Sequence, residues 1–167
     1  AQRLACEMSD RIAAIASVSS VLGIPPQDCK PTRPMPLMML NGTSDPLVQY
    51  NGGQPTGWSL IFPGATPPTF RSVDETTSFW LEQNGCSEAV ERTFEKGDTI
   101  CDTHKACEGG SEFTLCTIDG GGHAWPGGDN SPFGAALPLI QTFLGKVSTS
   151  MNGSQEIWDF FKRHPLP

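Results

Sequence analysis

The chain has 167 residues, of which 37% are hydrophobic and only 17% charged, with a formal net charge of -7. That length supports one domain with its own core, and that charge repels phosphate backbones and anionic lipid surfaces, against a nucleic-acid or membrane-surface binder. Its 18 Gly and 15 Pro make about a fifth of the chain, short of the ~25–30% of low-complexity disorder, and no apolar run approaches the ~18–20 residues of a membrane helix.

Residues 1–8 are good helix formers, with Leu4, Ala5 and Met8 spaced as an apolar stripe. No Ser, Thr, Asp or Asn stands before them as a cap. The chain also opens without Met or a signal-like start, so a processed chain or a piece of a longer polypeptide is expected. Ile12 to Val18 reads as a short strand buried on both faces. Pro25, Pro26, Pro31, Pro34 and Pro36 mark an extended loop. Leu37 to Leu40 is a second buried strand ended by Asn41-Gly42, with Met38 and Met39 as core filling. A Gly/Pro-rich loop from Thr43 to Arg71 leads into an amphipathic helix. Ser72 and Glu75 form its capping box, Val73, Thr76, Thr77, Trp80 and Leu81 share its inner face, and Asn84-Gly85 stops it.

Thr93 to Ile100 and Glu112 to Ile118 read as an antiparallel hairpin or ladder around a Gly109-Gly110 turn, with Leu115 and Ile118 facing a core. Residues 120–131 form a loop, and 137–144 an apolar stretch that is helical or packed loop. Ser154 to Lys162 is the last helix, with Ser154 as cap, Glu156 in the first turn, and Ile157, Trp158, Phe160 and Phe161 buried. Strands separated by helices and long loops imply one α/β domain over 1–167, with a mostly parallel sheet and flanking helices.

Cys6, Cys29, Cys86, Cys101, Cys107 and Cys116 are an even set, which suits three disulfides but leaves their connectivity open. Buried free thiols are one alternative. Zinc is another, because Cys101, His104, Cys107 and Cys116 have finger-like ligand types, although Cys116 sits in a strand-like run rather than a tight turn. Disulfides imply an oxidising setting, so a secreted, extracellular or periplasmic protein is expected. No metal and no cofactor are expected. Two sequons occur, at Asn41 and Asn152.

Three histidines could do chemistry. His164 lies in an Arg-His-Pro tail and reads as solvated, and His104 reads as a loop residue or a member of the zinc set. His123 follows Gly120-Gly121-Gly122 directly after the strand ending at Ile118, where open α/β sheets place catalytic groups. Asp45 occupies the parallel place after the strand 37–40. Alone, an Asp in a Ser-Asp-Pro turn is ordinary turn chemistry. Together, acid then histidine match the later part of the order Ser…Asp…His. In such a pair the His takes a proton from a nucleophile, and the carboxylate fixes its tautomer and stabilises the imidazolium. The nucleophile is not visible: Ser44, Ser59, Ser87 and Ser111 have Gly two places before, and none has Gly two places after. The uncapped first helix is the one expected just after a nucleophile elbow, so the serine is expected upstream of Ala1.

The runs Leu4 to Ala16, Gly42 to Gly53 and Gly121 to Gly128, with Ile157-Trp-Asp-Phe-Phe161 and His164-Pro165, carry a resemblance. They resemble the secreted esterase family of polyhydroxybutyrate depolymerases and feruloyl or acetylxylan esterases. The resemblance covers almost the whole chain but only the C-terminal half of that family's α/β-hydrolase domain; the N-terminal strands and nucleophile elbow lie outside it. It implies a serine carboxylic-ester hydrolase with Asp45 as triad acid, His123 as triad base and Trp125 as a wall of the ester-binding cleft. Its substrate would be a polyester or a plant cell-wall ester, and its partner the N-terminal half of the same enzyme, which carries the serine and the oxyanion-hole amides. The chain alone would be inactive.

The same resemblance implies the pairs Cys86–Cys107, Cys101–Cys116 and Cys6–Cys29, and an unmodified Asn41, since a glycan there would obstruct the site. From a different class comes a non-catalytic polyester- or carbohydrate-binding module using an aromatic cleft. The four Trp and nine Phe are compatible with it, though most sit at helix-face spacing.

Overall fold

A computed structural model describes residues 1–128 and 144–166. The chain forms helix α1 (Gln2–Glu7), strands β1 (Ile15–Val18) and β2 (Leu37–Gly42), a single helical turn α2 (Trp58–Ile61) and helix α3 (Val73–Gln83). Strands β3 (Glu91–Lys96), β4 (Thr99–His104) and β5 (Phe113–Ile118) follow, then helix α4 (Gly153–Arg163). Of the stretch 137–144, expected to be apolar helix or packed loop, residues 137–143 lie outside the described residues, as do 129–131 of the loop expected over 120–131.

The strands make one sheet in the order β1-β2-β5-β4-β3. β1 with β2 and β2 with β5 pair parallel, whereas β5 with β4 and β4 with β3 pair antiparallel. The sheet is therefore mixed, a correction to the mostly parallel one expected. The cause is a hairpin hidden inside the expected strand 93–100: Gly97, with φ of 56°, and Asp98 turn the chain between β3 and β4. A two-residue Gly-Asp loop is a strong hairpin signal because it matches the strand twist. Gly109-Gly110 instead closes a short 3-10 turn between β4 and β5.

β2 lies between β1 and β5 and is wholly buried, so its run of apolar residues divides between two cores. Leu37 and Met39 join Ala5, Val73, Trp80 and Phe113 under α1 and α3. Met38 and Leu40 join Met151, Ile157 and Phe160 under α4. Burying four such side chains stabilises the fold by roughly 1.5–3 kcal/mol each.

The Ser72–Glu75 capping box forms in both directions, at 3.0 and 2.8 Å. In α1 the expected stripe is corrected: Leu4 is exposed, and Gln2, Ala5 and Cys6 face inward. Gln2 is buried because Trp80 Nε1 donates to its Oε1 at 2.9 Å while its Nε2 donates to Ser17 Oγ at 3.2 Å. α4 is capped by Asn152, which accepts from Gln155 N at 3.1 Å, one residue earlier than Gly153 and not by Ser154. Trp158, expected in the core, is exposed, while Ile157 and Phe160 are buried.

All six cysteines are paired, as Cys6–Cys29, Cys86–Cys107 and Cys101–Cys116. They are the same pairs that the resemblance implies, and Cys101 and Cys116 face each other across β4 and β5. None is left as a thiolate for zinc.

Candidate active site

The parallel strands β1, β2 and β5 end together, and the loops leaving them converge. After β2, the chain Thr43-Ser44-Asp45 is stitched to the loop after β5: Thr43 N donates to Ile118 O and Ser44 N to Gly121 O, each at 2.9 Å. Thr43 Oγ1 also accepts from Gly120 N at 2.8 Å. The two loops touch backbone to backbone at Gly42, where a Cβ would lie 2.2 Å from Gly121 O. Only glycine fits there.

This stitching brings Asp45 and His123 together across 78 positions of sequence: His123 Nδ1 lies 2.9 Å from Asp45 Oδ2. The Asp45 side chain is 1% exposed and that of His123 33%. Burial of a carboxylate requires compensation, and here the other oxygen supplies it: Oδ1 accepts from Leu47 N and Val48 N, both at 2.8 Å. With both backbone donors on Oδ1, Oδ2 is the oxygen left for the imidazole. An acceptor at Nδ1 places the proton on Nδ1 and leaves Nε2 as the basic nitrogen.

A cavity of about 300 Å³ adjoins the pair, lined by Ala16, Ser17, Ser19, Ser20, His123 and Trp125, among others. Ser19 has a left-handed backbone with φ of 49°, the one positive φ outside glycine among the described residues. It turns the chain out of β1 while its N–H still bonds Leu40 O at 2.8 Å. Ser17, Ser19 and Ser20 were not singled out from the sequence. Their signal was their place at the C-terminal end of a buried strand. Trp125 is half-exposed on the rim and donates from Nε1 to Ser154 Oγ at 3.0 Å.

The remaining histidines stand elsewhere. His104 ends β4, its Nδ1 3.1 Å from Ser87 O. His164 is not solvated as expected: its ring packs on Phe160, centroids 4.7 Å apart, and its Nε2 lies 3.5 Å from Glu112 Oε2. Glu112 also accepts from Arg163 at 2.9 Å. Burial would raise the Glu112 pKa, but His164 and Arg163 outweigh it and bring it down to about 2. Among the described residues, no three His, Cys, Asp or Glu side chains converge as a metal-binding set. Asn41 is buried within β2, which shields its sequon.

No family model matches the chain. It is 36% identical over 122 residues to feruloyl esterase B of Piromyces equi, an overlap of 71% of this chain and 22% of that protein. It is 32% identical over 168 residues to the putative esterase NocK of Nocardia uniformis subsp. tsuyamanensis, covering 96% of this chain and 46% of that protein. The chain thus spans less than half the length of either curated relative. Fold and comparisons together define its class: a mixed five-stranded α/β structure with similarity to esterases.

Proposed function

We propose that the chain is the acid- and base-bearing part of a serine carboxylic-ester hydrolase with an α/β-hydrolase fold. The observation that carries this reading is the Asp45–His123 contact of 2.9 Å at the ends of parallel strands, beside a cavity. The esterase relatives support it, and their greater length accommodates a serine contributed by a part of the parent polypeptide outside these 167 residues. In this mechanism the serine hydroxyl attacks the ester carbonyl and passes its proton to His123 Nε2. His123 then protonates the departing alcohol, leaving an acyl-enzyme. Water, deprotonated by the same nitrogen, attacks the acyl carbon and releases the acid and the serine. Asp45 keeps the Nδ1 proton directed toward itself and stabilises each transient imidazolium.

Trp125, on the cavity rim, forms one wall for the ester, whether of a polyhydroxyalkanoate or of feruloylated or acetylated cell-wall polysaccharide. Three disulfides support an oxidising, secreted or periplasmic location.

The test is His123→Ala in the full-length parent enzyme. Turnover of p-nitrophenyl esters is expected to fall by roughly three to six orders of magnitude. Near-wild-type turnover would overturn the assignment, and a parent protein without any esterase activity would favour a binding module.

A further inference from the structure

Asp98 lies in the two-residue turn between β3 and β4, outside the Asp45–His123 pair. Because Thr99 pairs with Ile118, this turn sits at the same sheet edge as the end of β5. Its carboxylate gathers bonds from a distant segment: Lys146 Nζ at 2.7 Å and Ser148 Oγ at 2.5 Å, along with neighbouring Thr99 Oγ1 at 3.0 Å. Its backbone takes part as well, N donating to Ser150 Oγ at 3.3 Å and O accepting from Asp119 N at 2.7 Å. Burial alone would raise the Asp98 pKa, but the Lys146, Ser148, Ser150 and Thr99 bonds outweigh it and hold the carboxyl well below the usual carboxylate range.

The segment 144–150 that Asp98 grips is the one bonded to the histidine loop. His123 N donates to Leu144 O, Gly122 N to Lys146 O and Gly127 N to Ser148 O. These bonds bracket His123 on both sides. Nothing compressible separates the two backbones: a Cβ on Gly122 would lie 2.1 Å from Leu144 O. A shift of the segment is therefore passed directly to the loop, since packed interiors transmit strain rather than absorb it. On the same side the segment also meets the acid's loop: the Cβ position of Gly145 lies 2.8 Å from Gly122 Cα and 3.7 Å from Pro46 Cδ.

We propose that Asp98 is a positioning residue: by anchoring Lys146 and Ser148 it holds segment 144–150 in place, and that segment sets the approach of the His123 imidazole to Asp45. The catalytic consequence rests on the esterase reading above; the structural consequence does not. Asp98 does not line the cavity beside His123 and acts only through the segment. The carboxylate matters as a charge and as a multiple acceptor, because a neutral side chain can bind Ser148 but cannot pair with the Lys146 ammonium as strongly.

The experiment uses the full-length parent enzyme and two readouts, turnover of a p-nitrophenyl ester and the NMR signal of the His123 Nδ1 proton. A misplacement near 1 Å costs on the order of 100-fold in rate, so Asp98→Ala is expected to lower kcat between about tenfold and 100-fold with KM changed less than about twofold. The Nδ1 proton should exchange faster with solvent, and Asp98→Asn should recover part of both effects. If Asp98→Ala lowers the melting temperature yet leaves kcat and the Nδ1 proton unchanged, Asp98 is structural only and the proposal falls. If that variant does not fold, Lys146→Met removes the ammonium that Asp98 Oδ2 meets at 2.7 Å, and the same two readouts decide in the same way. Should His123→Ala prove fully active, the esterase reading fails, while the Nδ1 proton still judges Asp98.

Discussion

Replacing Asp45 by Asn tests the pair with the smallest change in shape. In the wild type Oδ1 accepts from Leu47 N and Val48 N at 2.8 Å each, and Oδ2 faces His123 Nδ1 at 2.9 Å. The Asn amide has one oxygen, and the two buried backbone donors claim it. Turning the amide over would strand both donors at about 1–3 kcal/mol each, more than a single bond to the imidazole returns. The NH2 group therefore faces His123 and donates to Nδ1. Nδ1 then becomes an acceptor, the proton moves to Nε2, and the nitrogen required as base is blocked. Loss of the charge-assisted bond costs the fold about 1.5–3 kcal/mol. The wrong tautomer costs turnover about 10⁴-fold, equivalent to about 5 kcal/mol at the transition state. The assay pairs kcat in the parent enzyme with ¹⁵N NMR of His123, in which Nδ1 should change from pyrrole-like to pyridine-like. A variant with Nδ1 unchanged, or with wild-type turnover, would refute the tautomer argument.

Two further outcomes follow from the packing. Glu112 has its pKa brought down to about 2 in the folded chain from an ordinary 4.5, and its side chain is only 11% exposed. A depressed carboxyl stabilises the fold above its unfolded pKa and loses that contribution as pH falls through the folded value, here by up to about 3 kcal/mol between pH 4.5 and pH 2. Denaturant unfolding of wild type and Glu112→Gln at pH 6 and pH 2.5 checks this: the difference between them should shrink at the lower pH, and a constant difference would show the coupling to be wrong. Gly42→Ala puts a methyl 2.2 Å from Gly121 O, whereas Gly23→Ala meets nothing within 4 Å. The first should lower stability by about 1–3 kcal/mol or more and displace His123, and the second should leave both unchanged; equal thermal shifts in the two would contradict the close approach of the loops.

Much of the secondary structure was legible because it is local. The Ser72–Glu75 box announces α3 without reference to anything else, and the unbroken apolar run of β2 requires cover on both faces. Position after a strand was enough to nominate Asp45 and His123. The misses share a cause. Leu4 and Trp158 are apolar yet exposed, while Gln2 is polar yet buried against Trp80, because burial depends on what packs over a helix face and not on that face's own composition. The hairpin between β3 and β4 was legible in Gly97-Asp98, a two-residue turn signal that a single strand over 93–100 passes over.

From the sequence alone came the kinds of chemistry available: a carboxylate and an imidazole on strand-end loops, six cysteines and an acidic balance of charge. Only the tertiary structure decided that this carboxylate meets this imidazole at hydrogen-bonding distance, with its other oxygen already committed to backbone donors. It also decided that Asp98, unremarkable in its turn, grips the segment lying against the histidine loop. Composition and periodicity report what one stretch of chain prefers. A hydrogen bond across 78 residues depends on how several such stretches pack, and that is set by the sheet order and by glycines whose missing side chains let two loops touch.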